Sequence, residues 1–371
     1  MTKEDAYIFL WSISGIGNKT ISNIDRYLNG DIEYFKDIDD EQLKKLIKSK
    51  KAYDELKKIK NSKLYMDDLY EEYDKNSIKI ITISSALYPK YLKEIYNKPY
   101  VLTYRGNANL LNNFSIAIVG SRKASNYGFE CAKKFAKELS EKEITVISGL
   151  ALGIDSVSHR NSYNECGRTI AVLGSALDYI YPKQNKILFD EIIKNDGLVI
   201  SEYPLYTPPV KGNFPMRNRI ISGISRGVLV VEASKRSGSL ITADFALEQG
   251  RNVYAIPSSI YSKMGIGTNN LIKQGAKLVS NIDDILQDFE MEFDILKKHG
   301  IYNNEEKNNF NDLSKIEKRL VEIIENSGEI DIEMLSLKSN IPIKDVIGVL
   351  NILEIKGIVL ELRNKIYSLN L

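Results

Sequence analysis

The sequence predicts an α/β fold: an open, doubly wound, mostly parallel sheet, with a helical domain before it and a winged helix after it. Short apolar runs of strand length alternate with helical segments through the middle of the 371 residues. Runs such as Ile116-Ala-Ile-Val and Gly227-Val-Leu-Val-Val are apolar throughout, which is typical of parallel strands covered on both faces. The two ends of the chain lack this alternation and show helical periodicity instead.

Residues 1–75 predict a helical domain rich in lysine and acidic residues, with amphipathic stretches such as Glu41-Gln-Leu-Lys-Lys-Leu-Ile. This domain contains the segment Ile13-Ser-Gly-Ile-Gly-Asn-Lys-Thr-Ile, which resembles the hairpin of a helix-hairpin-helix module. In such a hairpin, two glycines let backbone N–H groups approach a phosphate. A simple glycine turn between two helices accounts for the same segment, so both interpretations stay open.

Residues 76–290 predict the sheet domain. Strand-like segments at 78–83 and 100–104 come first, and six buried-type strands follow, separated by helical segments. One of these helices is expected near 127–142, where Phe129, Phe135 and Leu139 fall on one face. The six strands are expected at 115–120, 144–148, 169–174, 197–201, 227–232 and 252–257.

Residues 291–312 are polar and predict a linker, and 313–371 predict the winged helix. Helical stretches near 314–326, 331–338 and 342–356 precede a candidate hairpin at 358–367, and Pro342 suits the first turn of the third helix. This last domain carries 8 Lys/Arg against 9 Asp/Glu. A recognition helix that grips a duplex is normally basic, so we expect the tail to contact protein or to bind DNA weakly.

Composition excludes several classes of protein. The formal net charge of +2 is too small for a histone-like polycation, although residues 115–280 hold 21 Lys/Arg against 14 Asp/Glu. Two cysteines are too few for a disulfide scaffold or a structural zinc site, and no metal site is expected. The start of the chain lacks the apolar core of a signal peptide, and no run approaches the length of a membrane span. We therefore expect a cytoplasmic protein with no membrane partner.

The candidate site lies in the loops after the strands, because ligands of doubly wound sheets bind outside the carboxyl ends of the strands. Several of these loops begin with small or hydroxylated residues, which leave backbone N–H groups and hydroxyls accessible to a phosphate. Two arginines also open a helix here; they either bind phosphate oxygens or pair with Glu202 or Glu232. The residues singled out are Gly120, Ser121, Arg122, Ser148, Gly149, Lys211, Arg217, Asn218, Arg219, Ser237, Gly238 and Ser239.

Motifs of several enzyme classes are missing from the sequence. No Gly-Lys dipeptide occurs, which excludes a Walker A loop, and the turn Gly120-Ser-Arg-Lys-Ala-Ser lacks the glycines of a dinucleotide site. No nucleophile elbow follows a strand in a suitable place. Asp155 opens a helix and is either a general base or a capping carboxylate. No cofactor is expected, and no residue is assigned a catalytic role.

A series of motifs follows in order between residues 78 and 290. It includes Ile118-Val-Gly-Ser-Arg, Ser148-Gly-Leu-Ala-Leu-Gly-Ile-Asp, Tyr181-Pro-Lys-Gln-Asn, Phe214-Pro-Met-Arg-Asn-Arg and Ser237-Gly-Ser-Leu-Ile-Thr. In order and spacing, these motifs closely resemble the DNA processing protein A family (DprA, also called Smf). The chain departs from the family pattern at Ala176 and Ser258, where glycine is expected, and these departures concern the shape of two loops.

The resemblance implies an extended Rossmann-like domain that binds single-stranded DNA (ssDNA) in a positive pocket and forms a homodimer, preceded by a SAM-like or helix-hairpin-helix-like domain. It also implies a cytosolic, non-catalytic role in natural transformation, or competence. In that role the protein protects incoming ssDNA and loads the recombinase RecA onto it for DNA recombination.

On this resemblance, the twelve loop residues named above become the candidate ssDNA-binding residues. Replacing Arg122 or Arg217 by alanine is then expected to weaken ssDNA binding with little loss of folding. Aromatic residues near these loops, Tyr127, Tyr181 and Phe214, either stack on bases or pack in the core.

Two other functions stay open. One is a nucleotide-processing enzyme, such as a phosphoribohydrolase on a related Rossmann fold, which carries a Pro-Gly-Gly-x-Gly-Thr loop followed by a glutamate. The nearest sequence here, Gly265-Ile-Gly-Thr, has neither the paired glycines nor the glutamate. The other is an adaptor that contacts RecA through the tail without touching DNA.

Overall fold

The structure is a computed structural model that describes residues 1–62, 64–290, 314–355, 358–361 and 366–369. The chain divides into two compact units, Met1–Asp288 and Phe289–Leu371, which are described separately. The predicted linker at 291–312 lies outside the described residues, as does the turn of the predicted C-terminal hairpin.

The first unit begins with a helical module. Thr2 starts its first helix with a capping box, in which the Thr2 side chain and the Asp5 side chain each accept a backbone N–H at the helix start. Gly15, with φ of +88°, lies in the turn between the first two helices, a backbone conformation that favours glycine. The helices are α1 (Lys3–Ser12), α2 (Asn18–Tyr27), a 3₁₀ helix (Ile32–Asp37), α3 (Asp40–Leu46), α4 (Lys50–Ile59) and α5 (Tyr65–Lys75).

A nine-stranded sheet follows, and it confirms the predicted fold class. Each of the six predicted buried strands is present and starts within one residue of its predicted position. The strands are β1 (Lys79–Thr82), β2 (Val101–Gly106), β3 (Ser115–Val119), β4 (Thr145–Ser148), β5 (Thr169–Leu173), β6 (Leu198–Ser201), β7 (Gly227–Val230), β8 (Asn252–Ala255) and β9 (Lys277–Leu278). The helices of this part are α6 (Asn126–Glu141), α7 (Ile154–Arg160), α8 (Lys186–Lys194), α9 (Asn213–Ile224), α10 (Gly238–Glu248), α11 (Ile266–Lys273) and α12 (Asp283–Leu286).

The order of the strands places the candidate site. The sheet runs β1-β2-β6-β5-β4-β3-β7-β8-β9, and it is parallel from β6 to β9, while β2 pairs antiparallel with both β1 and β6. In register, Ile116 of β3 lies between Val146 of β4 and Gly227 of β7. The chain moves toward one edge from β3 to β6 and then returns to the other side of β3 with β7. The loops after β3 and β7 therefore leave the sheet on either side of the point where the strand order reverses, where doubly wound folds bind ligands, and the loop after β4 lies next to them.

The helical module shares its hydrophobic core with the sheet. Phe9 and Trp11 of α1 belong to the same buried cluster as Leu173 of β5 and Val199 of β6. The Trp11 Nε1–H also donates to the main-chain oxygen of Glu202, at 2.8 Å. A second buried cluster packs α9 and α10 on the sheet. The module is therefore held on the sheet by apolar burial and by a buried hydrogen bond.

The second unit has the element order of a winged helix. Its core includes Leu320, Ile324, Leu335, Leu350 and Tyr367. A capping box between Ser314 and Glu317 starts the first of its helices. The elements are α13 (Lys315–Ser327), β10 (Glu329–Asp331), α14 (Ile332–Ser339), α15 (Ile343–Ile355), β11 (Val359–Glu361) and β12 (Ile366–Leu369), and the three strands form an antiparallel sheet in the order β10-β12-β11.

Candidate nucleic-acid interface

A buried arginine lies beneath the loop at residues 149–153, which joins β4 to α7. Arg217 of α9 is 4% exposed, and its Nη1 donates to the main-chain oxygens of Gly149, at 2.7 Å, and of Val172. Its Nε donates to the side-chain oxygen of Asn218 at 3.2 Å. Burial lowers the pKa of Arg217 to about 10, and the nearby Asp155 carboxylate opposes this change. Arg217 therefore supports the loop from inside.

Asp155 holds the same loop from its other end. Its Oδ2 accepts hydrogen bonds from the backbone N–H groups of Gly149, at 3.1 Å, and Ala151, at 3.3 Å. Burial raises the pKa of Asp155, while Arg217 and these N–H donors oppose the shift. Asp155 does not cap its helix, because the N-cap is Gly153 and no side chain accepts a hydrogen bond there. The carboxylate instead ties down the loop that leads into the helix.

His159 completes the support of the loop. Its Nε2 accepts from the Leu150 backbone N–H at 3.3 Å, and its Nδ1 lies 2.8 Å from the Thr169 hydroxyl, which itself donates to the main-chain oxygen of Val146. These partners require a neutral ring with its proton on Nδ1. Complete burial lowers the pKa of His159 to about 3, and the charge of Arg217 adds to this effect.

The buried support changes what the loop can offer to a ligand. We expected backbone N–H groups at the strand ends to face an anion. At this loop the N–H groups of Gly149, Leu150 and Ala151 instead point inward, onto Asp155 and His159. These three N–H groups are therefore not available to a phosphate near the loop.

Two glycines allow the loop to close so tightly. A Cβ atom on Gly149 would lie 2.6 Å from Nη2 of Arg217. Gly153 has φ of +84°, and a Cβ there would collide with the main-chain oxygen of Ser121. The loop is thus packed against both the arginine and the turn after β3.

The outer side of this region carries a cluster that we call the strand-end cleft: the exposed Arg122, Leu152 and Tyr181, and the half-buried Phe214. The guanidinium carbon of Arg122 lies 5.8 Å from the centre of the Phe214 ring. The Tyr181 and Phe214 ring centres are 5.4 Å apart, with the planes tilted by 47°. Tyr181 is 44% exposed, and the residues enclose a small cavity of about 40 Å³ above Arg217. The cleft offers an exposed cation beside two aromatic faces.

A second polar loop adjoins the cleft through α9. The Asn218 side-chain amide donates to the main-chain oxygen of Gly238 at 3.3 Å, where α10 begins. Ser237 caps this helix, because its hydroxyl accepts from the Ser239 backbone N–H at 3.4 Å. Lys235 and Arg236, which the sequence analysis did not single out, are exposed in the turn before Ser237.

The predicted site residues thus separate into an exposed group and a buried group. The residues that stay fully or partly exposed are Gly120, Arg122, Lys211, Asn218, Ser237 and Gly238. Ser121 and Ser239 are nearly buried. The Ser148 hydroxyl donates to the main-chain oxygen of Ile118, and a Cβ on Gly120 would meet the Ile154 side chain at 2.6 Å. Ser148, Gly149 and Arg217 therefore support the site from inside, and Gly120 lies at its surface, packed on Ile154.

Arg219 lies away from the cleft. It is 2% exposed and forms a bidentate ion pair with Glu202, at 2.8 and 2.5 Å, on the far side of α9 from Arg217. The alternative in which an arginine pairs with Glu202 is therefore what the structure shows for Arg219. Residues two apart on a helix point about 200° apart, and this signal was present in the sequence.

Of the three aromatic candidates, two lie in the cleft. Tyr181 and Phe214 face each other there, whereas the Tyr127 hydroxyl donates to the main-chain oxygen of Pro257 at 2.9 Å. Sequence reasoning missed Leu152, which lies inside the Gly149–Gly153 segment and is 39% exposed. An apolar side chain between two glycines of a loop was the available signal.

Residues 1–62, 64–290 and the described tail contain no group of three or more His, Cys, Asp or Glu side chains placed to hold a metal ion. No helix among the residues that the structure describes is long and apolar enough to cross a membrane.

Comparisons with known proteins agree with these features. A family model of DNA recombination-mediator protein A matches residues 79–290. The chain is 46% identical to DNA processing protein DprA of Streptococcus pneumoniae over 225 residues, covering 61% of this chain and 79% of that protein. It is 44% identical to Protein Smf of Escherichia coli over 211 residues, covering 57% of this chain and 56% of that protein.

Solved structures are similar as well. The X-ray structure of DprA from Streptococcus pneumoniae superposes with a TM-score of 0.67 at 37% identity, covering 77% of this chain and 98% of that one. A structure that addresses the ssDNA binding mode of DNA processing protein A from Helicobacter pylori superposes with a TM-score of 0.52 at 29% identity, covering 58% and 97% of the two chains.

Proposed function

The chain belongs to the DNA recombination-mediator protein A family, and on that premise we propose that it binds ssDNA through the strand-end cleft. The observation that carries the proposal is the exposed Arg122 guanidinium beside the rings of Phe214 and Tyr181. Binding of ssDNA without sequence preference requires cations for the phosphates and flat surfaces on which bases stack. The ssDNA binding of the Helicobacter pylori relative supports the same ligand for this chain.

The charges around the cleft favour an anionic ligand. Lys183, Lys211, Lys235 and Arg236 are exposed in the loops that follow β5, β6 and β7. Two acidic side chains of the same strand ends are already engaged: Glu202 by Arg219, and Glu232 by the Ser125 backbone N–H and hydroxyl, at 2.8 and 2.6 Å. Asp178, in the loop after β5, is exposed and accepts from the Tyr206 backbone N–H. The cations thus face solvent, while the carboxylates of Glu202 and Glu232 are held inside.

The proposed role is the protection of incoming ssDNA and its transfer to RecA during natural transformation, in the cytoplasm. A homodimer formed through the sheet domain belongs to the same proposal. The open edge of the sheet supports it, because β9 is bonded to β8 alone among the described strands and Leu278 on β9 is 47% exposed. Exposed apolar side chains at a sheet edge favour pairing with a second chain.

We also propose that the role is non-catalytic. Asp155 and His159, two titratable groups that could move a proton, are buried and bonded to the loop at residues 149–153. The alternative function is hydrolysis of a purine nucleotide by a phosphoribohydrolase-like enzyme. Incubation with purine monophosphates, followed by chromatography for free base, distinguishes the two, since release of base would contradict the proposal.

Fluorescence anisotropy with ssDNA and double-stranded DNA of equal length tests the proposal. We expect preferential binding of ssDNA, with an affinity that falls steeply as salt rises, because several phosphates are contacted. Addition of RecA to the preformed complex should speed RecA assembly on the strand. Equal affinity for both DNAs, or none for ssDNA, would contradict the proposed function.

A further inference from the structure

A second cavity lies on the other side of α9. It has a volume of about 830 Å³, far larger than the 40 Å³ of the strand-end cleft and within the range of small-molecule binding sites. Its walls come from α2, the segment 94–100, the first turn of α9 and the end of α10. We call it the α2 groove and define it by Lys19, Arg26, Tyr96, Lys98, Met216 and Arg251.

The charge of the α2 groove is positive. Besides the Arg219–Glu202 pair, its walls carry the four cations named above against two carboxylates, Glu94 and Glu248. Lys19 and Arg26 are exposed, and among the described residues neither has a carboxylate partner within ion-pair distance. An anionic ligand would therefore gain attraction here without displacing an existing ion pair from these two side chains.

Arg251 is a buried cation that the protein neutralises incompletely. Its side chain is 10% exposed, and its Nη2 lies 4.0 Å from Oε2 of Glu94, whose own side chain is 69% exposed. The same Nη2 donates to the main-chain oxygen of Tyr91 at 3.1 Å, whereas Nε is buried with no hydrogen-bond partner among the described residues. The guanidinium also lies against the Tyr91 ring, at 4.8 Å from its centre. A buried charge whose nearest carboxylate is exposed and 4.0 Å away is costly, and an anion close by would reduce that cost.

The groove also offers a surface for a base. Tyr96 is completely exposed at the groove, and Met216 beside it is 41% exposed. A fully exposed aromatic ring buries little apolar surface within the protein. It is available to stack on an unpaired base, whose face is flat and apolar. The groove thus repeats the chemistry of the strand-end cleft, with exposed cations beside an exposed aromatic ring.

The first turn of α9 connects the two sites. Phe214 lies in the strand-end cleft and Met216 lines the α2 groove, two residues further along the same helix. Side chains two residues apart point about 200° apart on a helix about 10 Å wide, so the two sites flank this one turn. A strand that leaves the cleft past Phe214 has only this turn to pass before it reaches Tyr96 and Lys98.

We propose that the α2 groove is a second binding site for the same ssDNA. The strand passes from the strand-end cleft around the start of α9 and contacts Lys19, Arg26 and Tyr96. This inference rests on the proposed ssDNA binding. It assigns part of the DNA contact to the helical module. Lys19 lies at the start of α2, the helix that follows the glycine turn, and Arg26 lies in its last turn.

Oligothymidylates of two lengths test the proposal. One of about 5 nucleotides is near the shortest strand that one ssDNA-binding domain covers, and one of about 20 is longer than one such domain usually covers. For the double variant Lys19→Ala/Arg26→Ala we expect unchanged affinity for the short strand and roughly ten-fold weaker binding of the long one. Loss of two phosphate contacts should reduce the slope of log K against log salt by about 1.4 for the long strand. Tyr96→Ala should weaken the long strand about ten-fold, the effect of one lost stack, with the slope unchanged.

The matched control is Lys50→Ala/Lys51→Ala, which removes two exposed cations from α4, outside the groove. We expect this variant to bind both strands like the wild type. If Lys19→Ala/Arg26→Ala binds the long strand with wild-type affinity and slope while Arg122→Ala does not, the groove proposal is overturned and the proposed function stands. Equal losses for both lengths, or for the control, would also overturn the groove. Failure of the wild type to bind either strand would overturn both.

Discussion

The two sides of the loop at residues 149–153 use the same residue type in opposite ways. Beneath the loop, Arg217 is 4% exposed and donates to main-chain oxygens, with Asp155 and His159 tying down the backbone N–H groups. Above it, Arg122 is exposed beside Phe214. The comparison teaches that a motif rich in glycine and arginine does not by itself mark ligand contact. Much of it builds the support on which a few exposed side chains act.

The largest expected effect comes from the buried side. Arg217→Ala should lower the free energy of unfolding by about 3–5 kcal/mol, because it removes the positive charge near the buried Asp155 and leaves two main-chain oxygens without this donor. This replaces the expectation from the sequence that the substitution spares folding. Urea unfolding measures the effect, and a loss below about 1 kcal/mol would mean that Arg217 does not support the loop.

A pH dependence should follow from His159. Unfolded His159 takes up a proton below its usual pKa of 6.5, whereas the folded residue stays neutral down to about 3. The stability it contributes is therefore complete above pH 6.5 and falls by about 1.4 kcal/mol for each pH unit below it. Asp155 acts in the opposite sense, since its raised pKa lets the folded state bind a proton first.

The variant His159→Gln isolates this contribution, because Asp155 is present in both proteins and the glutamine oxygen can still accept the Leu150 N–H. Between pH 6.5 and about 4, the free energy of unfolding measured in urea should fall more steeply for the wild type than for the variant. The difference should be about 1.4 kcal/mol for each pH unit. Parallel stability curves for the two proteins would show that His159 is not held neutral by burial.

The exposed side should show the reverse pattern, with binding affected and stability preserved. Tyr181→Ala should weaken ssDNA binding by about 1–3 kcal/mol through loss of a stacked base, and should change unfolding by no more than about 0.5 kcal/mol. Tyr34→Ala is the control, since Tyr34 is also exposed, at 57%, but lies in the helical module. Equal ssDNA affinity of the two variants would remove Tyr181 from the site.

The smallest expected effect concerns Lys211, an exposed lysine in the loop before α9. Lys211→Ala should reduce the slope of log K against log salt by about 0.7, the value for one phosphate contact on a single strand. Unfolding should be unaffected. A slope equal to that of the wild type in an anisotropy titration would place Lys211 outside the path of the DNA.

The sheet was predictable from sequence because its strands are buried on both faces, so that runs such as Gly227-Val-Leu-Val-Val leave little ambiguity. The glycine turn after α1 was also found, since Gly15 needs a positive φ. Which of the two arginines of α9 lies beneath the cleft was not recognised. Arg217 and Arg219 were treated alike, although the helical period sends them to opposite sides of α9.

The roles of Asp155 and His159 could not be predicted for a different reason. Their partners are backbone N–H groups four to nine residues away, and sequence alone does not show how a loop folds back on its own helix. The docking of the helical module is similar, because the Trp11 bond to Glu202 joins residues 191 positions apart. Such contacts depend on the whole fold rather than on local periodicity.

The most direct test of the central claim is the salt dependence of ssDNA binding by Arg122→Ala, measured beside Arg160→Ala. Both arginines are exposed, but Arg160 lies at the far end of α7 from the cleft. We expect Arg122→Ala to bind ssDNA at least about ten-fold more weakly and with a slope smaller by about 0.7, while Arg160→Ala and the stability of both variants stay at wild-type values. Identical affinities and slopes for the two variants would contradict ssDNA binding at the strand-end cleft.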